Sequence, residues 1–345
     1  MKKILIISTS LKTRGGISAV ISAHLASNLY NQFDVKIIET HIDKSSLIKI
    51  YYFLRSILYF IFYIFRSDIV HIHFSEPTSL LRKIPFVIFS SLLNKHIISH
   101  LHAPGHIPKL NKSFFLIYKY IFTKSNDIIV LSKTWKNMVI SDFNMDQDKV
   151  HVISNPCAPI KFETFFTKKK HILFAGSLIP RKNYKTLISA FSKIHNNFSD
   201  WELIICGNGE LEDAKELVDK LKINKKVNFL GWVKDETKHK VFSEASIFCL
   251  PSFAEGLPMA ILDAFSYNIP VVSSKVGGIV DFVSHNQEVL FFDPNSIEEL
   301  YICLKEIITN ESLNEKLVNA SKNISQTVFS MTDIEKQILV LYNKK

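Results

Sequence analysis

Short apolar runs, rich in Ile, Val and Leu and separated by helix-length intervals, constrain the fold of this chain more than any other feature. KILIIS, VKIIE, DIVHIH, HIISHL, DIIVLS and VHVIS fall in the first half, and HILFAG, ELIICG, VNFLG, SIFCLP, IPVVSS and EVLFF in the second. These runs are continuously apolar where a half-exposed strand would alternate. Continuous apolar strands are buried on both faces, and helices between them supply the cover, so the pattern predicts parallel sheets built from βαβ units. Two such sets predict an α/β chain of two Rossmann-like, doubly wound domains facing across a crevice, and a length of 345 residues suits two cores.

The pattern breaks at NPCAPIKFETFFTKKK, residues 155–170, where two prolines and a lysine cluster intervene. This predicts a first domain over 1–165 and a second over 166–329. Beyond them, SMTDIEKQILVLYNKK carries Ile334, Ile338, Leu339 and Leu341 at amphipathic spacing. A helix over about 330–345 is expected to pack back on the first domain.

With 47% hydrophobic and 21% charged residues, the chain has ample apolar surface to offset the entropy of ordering, which excludes a disordered or low-complexity class. Charge is unevenly shared. Residues 1–160 hold 19 Lys and Arg against 9 Asp and Glu, whereas the remainder holds 23 against 23, so the whole net charge of +10 lies in the first half. An anionic partner for that half follows: an acidic membrane surface, a phosphorylated substrate or nucleic acid. Cys157, Cys206, Cys249 and Cys303 have no paired spacing and fit a reducing compartment as buried thiols. The opening MKKILIISTS reads as a first strand, because its apolar segment is too brief for a signal peptide. The segment LIKIYYFLRSILYFIFYIF, residues 47–65, is apolar nearly all round, but Lys49 and Arg55 leave no charge-free run of the roughly twenty residues a span needs. It reads either as a core helix or as a helix whose Tyr51, Tyr52, Tyr59 and Tyr63 lie at a membrane boundary.

In doubly wound sheets the ligand lies beyond the carboxyl ends of the strands, which directs attention to the loops there. Gly15 and Gly16 precede a helix after the first strand, where they serve either an anion at the helix start or a tight turn. His71 and His73 end one strand, and His100, His102 and His106 follow the next; without a carboxylate among their neighbours, no metal is expected. His102 suits a neutral imidazole bonded to a sugar hydroxyl or a backbone carbonyl. Arg181 and Lys182, after a strand ending at Gly176, put two cations beside a helix start, a good site for a diphosphate. Gly207, Asn208 and Gly209 open the next loop. Finally PSFAEGLPMAILDAFSYNIPVVS, residues 251–273, sets Glu255, Gly256 and Leu257 in a loop, Pro258 in the first turn of a helix, and Asp263 inside that helix.

With these residues in view, the chain resembles glycosyltransferase family 4, retaining enzymes of GT-B fold. The resemblance spans nearly the whole length: the Gly-Gly loop, the histidine after the fourth strand, the basic turn, the EGLP loop with its helix, and VGGIVDFV at 276–283. It implies a nucleotide-diphosphate-sugar donor held by the second domain, with Glu255 on the sugar and Asp263 on the ribose. It also implies Lys182, Arg181 and the amides near Gly256 and Leu257 neutralising the departing diphosphate without a metal, and His102 approaching the sugar. Gly15, Gly16, Gly207 and Asn208 complete the expected donor contacts. The chain departs from the family pattern at Asp263, where glutamate is usual, at Ser177, where arginine is common, and at Asp281, where glutamate is usual. The acceptor implied for the basic first domain is a glycan or a lipid-pyrophosphate-linked glycan of bacterial surface polysaccharide synthesis. That places the protein in the cytoplasm, at the inner face of the plasma membrane and in peripheral contact with acidic lipid.

Other classes fit less well. A sugar-nucleotide epimerase shares the architecture but needs no acceptor, and a non-catalytic sugar-nucleotide binder would tolerate Asp263 and Ser177. A nucleic-acid binder should interleave Lys and Arg with exposed aromatics in a stripe. A dehydrogenase should carry the G-x-G-x-x-G fingerprint, which neither half contains.

Overall fold

A computed structural model describes residues 1–75, 77–102, 111–164 and 166–344. The chain divides into two compact units, Met1–Pro156 with Met331–Lys345, and Cys157–Ser330.

The first unit alternates β1 (Lys3–Ser8), α1 (Gly16–Leu25), β2 (Asp34–Glu39), α2 (Ser46–Ile64), β3 (Ile69–Phe74), α3 (Pro77–Leu92), β4 (His96–Leu101), α4 (Lys112–Lys124), β5 (Asp127–Val130), α5 (Lys133–Phe143) and β6 (Val150–Val152). Its strands form one parallel sheet in the order β2-β1-β3-β4-β5-β6. The continuous apolar runs are explained by this sheet's two covered faces. Ile4 and Ile6 of β1 point to the side packed by Ile17 and Ile21 of α1, while Leu5 and Ile7 join Phe60, Phe86, Tyr118 and Phe122 on the other.

The second unit runs β7 (His171–Ala175), α6 (Tyr184–Asn197), β8 (Glu202–Cys206), α7 (Leu211–Lys220), β9 (Val227–Gly231), α8 (Asp235–Glu244), β10 (Ile247–Leu250), α9 (Met259–Ser266), β11 (Val271–Ser274), β12 (Val289–Phe292), α10 (Ile297–Thr309) and α11 (Glu311–Gln326). Its sheet is also parallel, in the order β12-β11-β10-β7-β8-β9. Sequential strands build outward from β7 in one direction and from β10 in the other, so strand order reverses between these two neighbours.

Helix α12 (Met331–Asn343) belongs to the first unit, where Ile334, Ile338, Leu341 and Tyr342 join the cluster around Ile69 and Ile98. The division between the units falls at Pro156/Cys157, ahead of residue 165. The reason is that the intervening segment is already tied to the second unit. Cys157 N donates to Phe329 O at 2.8 Å, His239 Nε2 donates to Thr164 O at 2.5 Å, and Phe162 stacks on the His239 ring at 4.6 Å.

Helix α2 is fully buried along one stripe alone. Only Ser56, Phe60 and Ile64 are buried, one stripe at four-residue spacing that packs on the sheet.

Candidate functional site

The reversal between β7 and β10 marks where a doubly wound sheet leaves a crevice beyond its strand ends. Two segments meet there. After β7 the chain passes Gly176 and Ser177 into a tight turn at Pro180–Lys182, and Asn183, at φ 53, redirects it into α6. Asparagine tolerates this left-handed conformation, and here its carboxamide is held by Pro294 O at 2.7 Å and by the Thr186 hydroxyl at 2.8 Å. After β10 the loop 251–258 folds over the turn. Phe253 N donates to Arg181 O at 2.8 Å, and Arg181 Nη1 donates to Ala254 O at 2.7 Å.

These contacts bring Arg181, Lys182 and Glu255 together. Lys182 Nζ donates to Glu255 Oε1 at 2.5 Å, Arg181 Nη1 lies 3.5 Å from Glu255 Oε2, and the Ser252 hydroxyl donates to Oε1 at 2.6 Å. Glu255 is 7% exposed, so its charge is compensated by these partners rather than by water. The Ser252 carbonyl in turn accepts from the Ser274 hydroxyl. Helix α9 starts at Met259, with Pro258 at its cap, one residue later than the spacing predicts.

Glycines press the surrounding loops together. A Cβ on Gly207 would sit 1.8 Å from Gly176 O, and one on Gly209 would sit 2.1 Å from Leu178 O. Leu178 N also donates to Asn208 O at 2.8 Å. Gly277, at φ 73, approaches the EGLP loop so closely that a Cβ would lie 2.5 Å from Glu255 O, and Gly278 N donates to Gly256 O at 2.6 Å. Gly256 and Leu257 are buried under this contact.

Asp263 stands apart from this group. On α9 it pairs with Lys238 Nζ of α8 at 2.7 Å, and among the described residues no ion pair joins it to Arg181 or Lys182. Sequence reading missed Lys238, Ser252 and Gly277 as supports of the site. The glycine pair in VGGIVDFV was the one signal that pointed to any of them.

In the first unit, Gly15 and Gly16 open α1, and no neighbouring heavy atom lies within 4 Å of where a Cβ would sit on either. Among the described residues there is room for a side chain at both positions. His71 and His73 of β3, His100 of β4 and His102 just beyond it form a block of stacked rings. Centroids are 4.3 Å apart for His71 and His73, 4.7 Å for His73 and His100, and 4.1 Å for His100 and His102. Burial holds them neutral. The His102 imidazole is pulled down to about 3, first by burial and then by His24; His71 also reaches about 3, and His73 and His100 fall well below the ordinary value. Ring nitrogens of His71, His73 and His100 lie within 4.8 Å of one another. His71 Nε2 faces His100 Nδ1 at 3.3 Å and His73 Nδ1 faces His102 Nε2 at 3.0 Å, so ring nitrogens in the block already partner one another. His106 lies outside the described residues.

The first unit also exposes a broad apolar face. Leu47, Leu54, Leu58 and Phe62 of α2, and Phe65 just past its end, are each more than half exposed, and α3 and α4 add Phe89, Leu92 and Leu116. Cations lie among them: Arg55 over the rings of Tyr52 and Tyr59 at 5.7 and 5.1 Å, Arg66 over Phe62 at 5.6 Å, and Lys124 over Tyr120 at 6.0 Å. By length and composition α2 also meets the minimum for a membrane-crossing helix.

Comparison with known proteins follows the two units. Residues 7–159 match the family model described as Glycosyltransferase Family 4, and residues 159–324 match that described as Glycosyl transferases group 1. An uncharacterized glycosyltransferase of Methanocaldococcus jannaschii is 29% identical over 65% of this chain, a match spanning 62% of the archaeal protein's length. The UDP-Gal:alpha-D-GlcNAc-diphosphoundecaprenol alpha-1,3-galactosyltransferase of Escherichia coli is 28% identical over 86% of this chain and 77% of its own length. Among solved structures, Anabaena HepE in complex with UDP-glucose superposes with a TM-score of 0.79 at 16% identity, covering 99% of both chains, which shows the shared fold.

Proposed function

Since the chain belongs to the glycosyltransferases of family 4 and group 1, with a GT-B fold, we propose that it is a retaining, metal-independent enzyme. It moves a sugar from a nucleotide-diphosphate donor to a glycan or lipid-linked glycan acceptor in bacterial surface polysaccharide synthesis. The observation that carries this reading is Glu255, buried at the strand-order reversal and held by Lys182, Arg181 and Ser252.

The paired arrangement suits the chemistry. Glu255 Oε1 is occupied by two donors, which fixes the carboxylate so that its remaining lone pairs accept from donor-sugar hydroxyls. Lys182 has three donors and Arg181 five, so each retains hydrogens for a diphosphate after bonding Glu255 or Ala254. As the sugar–phosphate bond breaks, charge builds on the leaving diphosphate, and preorganised cations stabilise it there. The acceptor hydroxyl attacks from the face the diphosphate leaves and passes its proton to it, so no side-chain nucleophile is required. On the same reading Asp263 contacts the ribose and His102 the donor sugar.

The E. coli relative acts on a diphosphoundecaprenol-linked sugar, and the apolar, cation-studded face of α2 to α4 suits a matching location. It docks on the acidic inner surface of the plasma membrane, with aromatic and aliphatic side chains in the headgroup boundary and Arg55, Arg66 and Lys124 on lipid phosphates. Release of nucleoside diphosphate, with a panel of nucleotide sugars and polyprenyl-diphosphate-linked acceptors, tests the transfer; no acceptor-dependent turnover with any pair would reject it.

A further inference from the structure

The histidine block contains two hydrogen bonds and two conspicuous vacancies. His73 Nδ1 lies 3.0 Å from His102 Nε2, and His71 Nε2 lies 3.3 Å from His100 Nδ1, while His71 Nδ1 lies 2.7 Å from the Tyr342 hydroxyl of α12. His73 Nε2 and His100 Nε2 are buried with no hydrogen-bond partner among the described residues. His73 is 0% and His100 1% exposed, so bulk solvent does not reach them.

Which nitrogen carries the proton follows from these vacancies. A neutral imidazole has one N–H and one bare nitrogen, and a buried donor left unpaired is rarer than an under-satisfied acceptor. The bare nitrogen of His73 is therefore the orphaned Nε2, and its proton lies on Nδ1, facing His102. The His102 Nε2 must then accept, which leaves the His102 proton on Nδ1. The same rule sets His100 Nδ1–H donating to His71 Nε2 and His71 Nδ1–H donating to Tyr342. One assumption thus satisfies every contact in the block without a clash of donors.

We propose that His73 is a positioning residue that fixes His102 as its Nδ1–H tautomer, leaving His102 a neutral hydrogen-bond donor just beyond the end of β4, available to a sugar oxygen. Burial supports the neutral state, since protonation would place donors on both sides of the His73–His102 contact. The consequence for the sugar rests on the transferase reading, whereas the tautomer does not.

Long-range proton–nitrogen correlation on the full chain labelled with nitrogen-15 histidine, assigned with His102→Ala, reads the tautomer directly and without substrate. The expected spectrum has a protonated Nδ1 and a bare Nε2 for His102. His73→Phe keeps a stacked ring but removes the donor, and should turn His102 into a tautomer mixture. His73→Asn, whose amide nitrogen lies near the position of Nδ1, should restore the single form. In a transfer assay His73→Phe should lower kcat about 3- to 10-fold, the worth of one neutral hydrogen bond, with rescue by His73→Asn. An Nε2–H tautomer in the unaltered protein overturns the proposal, even if His73→Phe fails to fold. So does a His102 signature unchanged by His73→Phe. An Nδ1–H His102 in a protein with no transferase activity would instead reject the proposed function and leave the positioning intact.

Discussion

Lys182 and Glu255, 73 positions apart in the chain, meet at 2.5 Å where β7 and β10 run side by side, and both are shielded from water. Neither residue is arranged for stability alone, because a buried ion pair seldom improves on an apolar pair of the same shape. The pair's cost when broken is another matter. Lys182→Ala leaves a buried carboxylate with only Arg181, at 3.5 Å, and one hydroxyl, and is expected to destabilise the second unit by about 2–4 kcal/mol in urea unfolding. Lys182→Met combined with Glu255→Gln removes both charges and should recover much of that loss. Transfer should nonetheless fall at least about 100-fold in both the single and the double variant, since groups that stabilise developing charge are absent. Wild-type turnover in either would sink the site assignment.

The two glycine loops are expected to respond in opposite ways. At Gly277 a side chain meets the Glu255 carbonyl and a left-handed φ of 73, so Gly277→Ala must displace the EGLP loop. A loss of about 1–3 kcal/mol should accompany a raised KM for the donor. At Gly16 a methyl group meets nothing, and Gly16→Ala in the first turn of α1 should leave stability within about 0.5 kcal/mol of the parent. Calorimetry of the pair separates packing from ligand contact, because a donor-affinity loss at Gly16 without a stability loss points to backbone approach.

Acid should unfold the first unit in two stages. Buried His24, His71 and His102 are neutral in the fold, pulled down to about 4, 3 and 3, so the unfolded chain takes up protons first as pH drops below about 6.5. Stability is fully present above that value and falls between roughly pH 6.5 and 3, each histidine adding up to about 1.4 kcal/mol per pH unit to the slope. Asp127 acts lower. Its burial favours protonation, but hydrogen bonds from His151 at 2.6 Å, His96 at 2.9 Å and Lys344 at 2.5 Å outweigh it and hold the carboxyl well below the usual range. Its contribution is present above about pH 4 and is lost below it. Unfolding free energies measured from pH 8 to 4 should show the steep histidine stage, and a flat profile would contradict it.

His24 offers a sharper version of that test. Both of its ring nitrogens are buried without a partner among the described residues. His24→Leu removes two unsatisfied polar atoms, so it should raise stability by about 1–2 kcal/mol at pH 7 and reduce the acid slope by one proton.

Membrane docking predicts a charge- and position-specific effect. Leu58 is 70% exposed on α2, so Leu58→Glu should leave the melting temperature nearly unchanged. Sedimentation with vesicles containing about one third anionic lipid should show binding weakened at least tenfold, because an apolar contact is lost and a like charge is added. Binding by the unaltered protein should fade in neutral vesicles and in high salt. Equal affinity of the unaltered protein for neutral and anionic vesicles would contradict the electrostatic part.

Particular residues show how far the sequence could be read. Each of the apolar runs became a strand because a short β-branched run between helix-length intervals suits a parallel sheet, although the edge strands β2 and β9 are only partly buried. Gly207 and Gly209 were legible as glycines of a strand-end loop, but not as the positions where that loop presses on Gly176 O and Leu178 O. Helix α2 was ambiguous because an apolar composition says that a segment avoids water, and not whether protein or lipid covers it. His73 was legible as one of a strand-end cluster, but not as a partner of His102, and His24 carried no signal at all, since a lone histidine in an apolar run looks the same whatever surrounds it.

By itself, then, the sequence determined the parallel, doubly wound character of both units, the loops at their strand ends and the charge asymmetry between the halves. These depend on local periodicity and composition, which the chain carries wherever it folds. Only the tertiary structure decided that Lys182 and Arg181 grip Glu255, that Asp263 pairs with Lys238, that four histidines stack beside Tyr342, and that the segment 157–165 belongs to the second unit. Those outcomes follow from strand order, which makes β7 the neighbour of β10 and β3 the neighbour of β4. Hydrophobic pattern sets which face of a strand is buried, and it carries no record of which strand lies beside it.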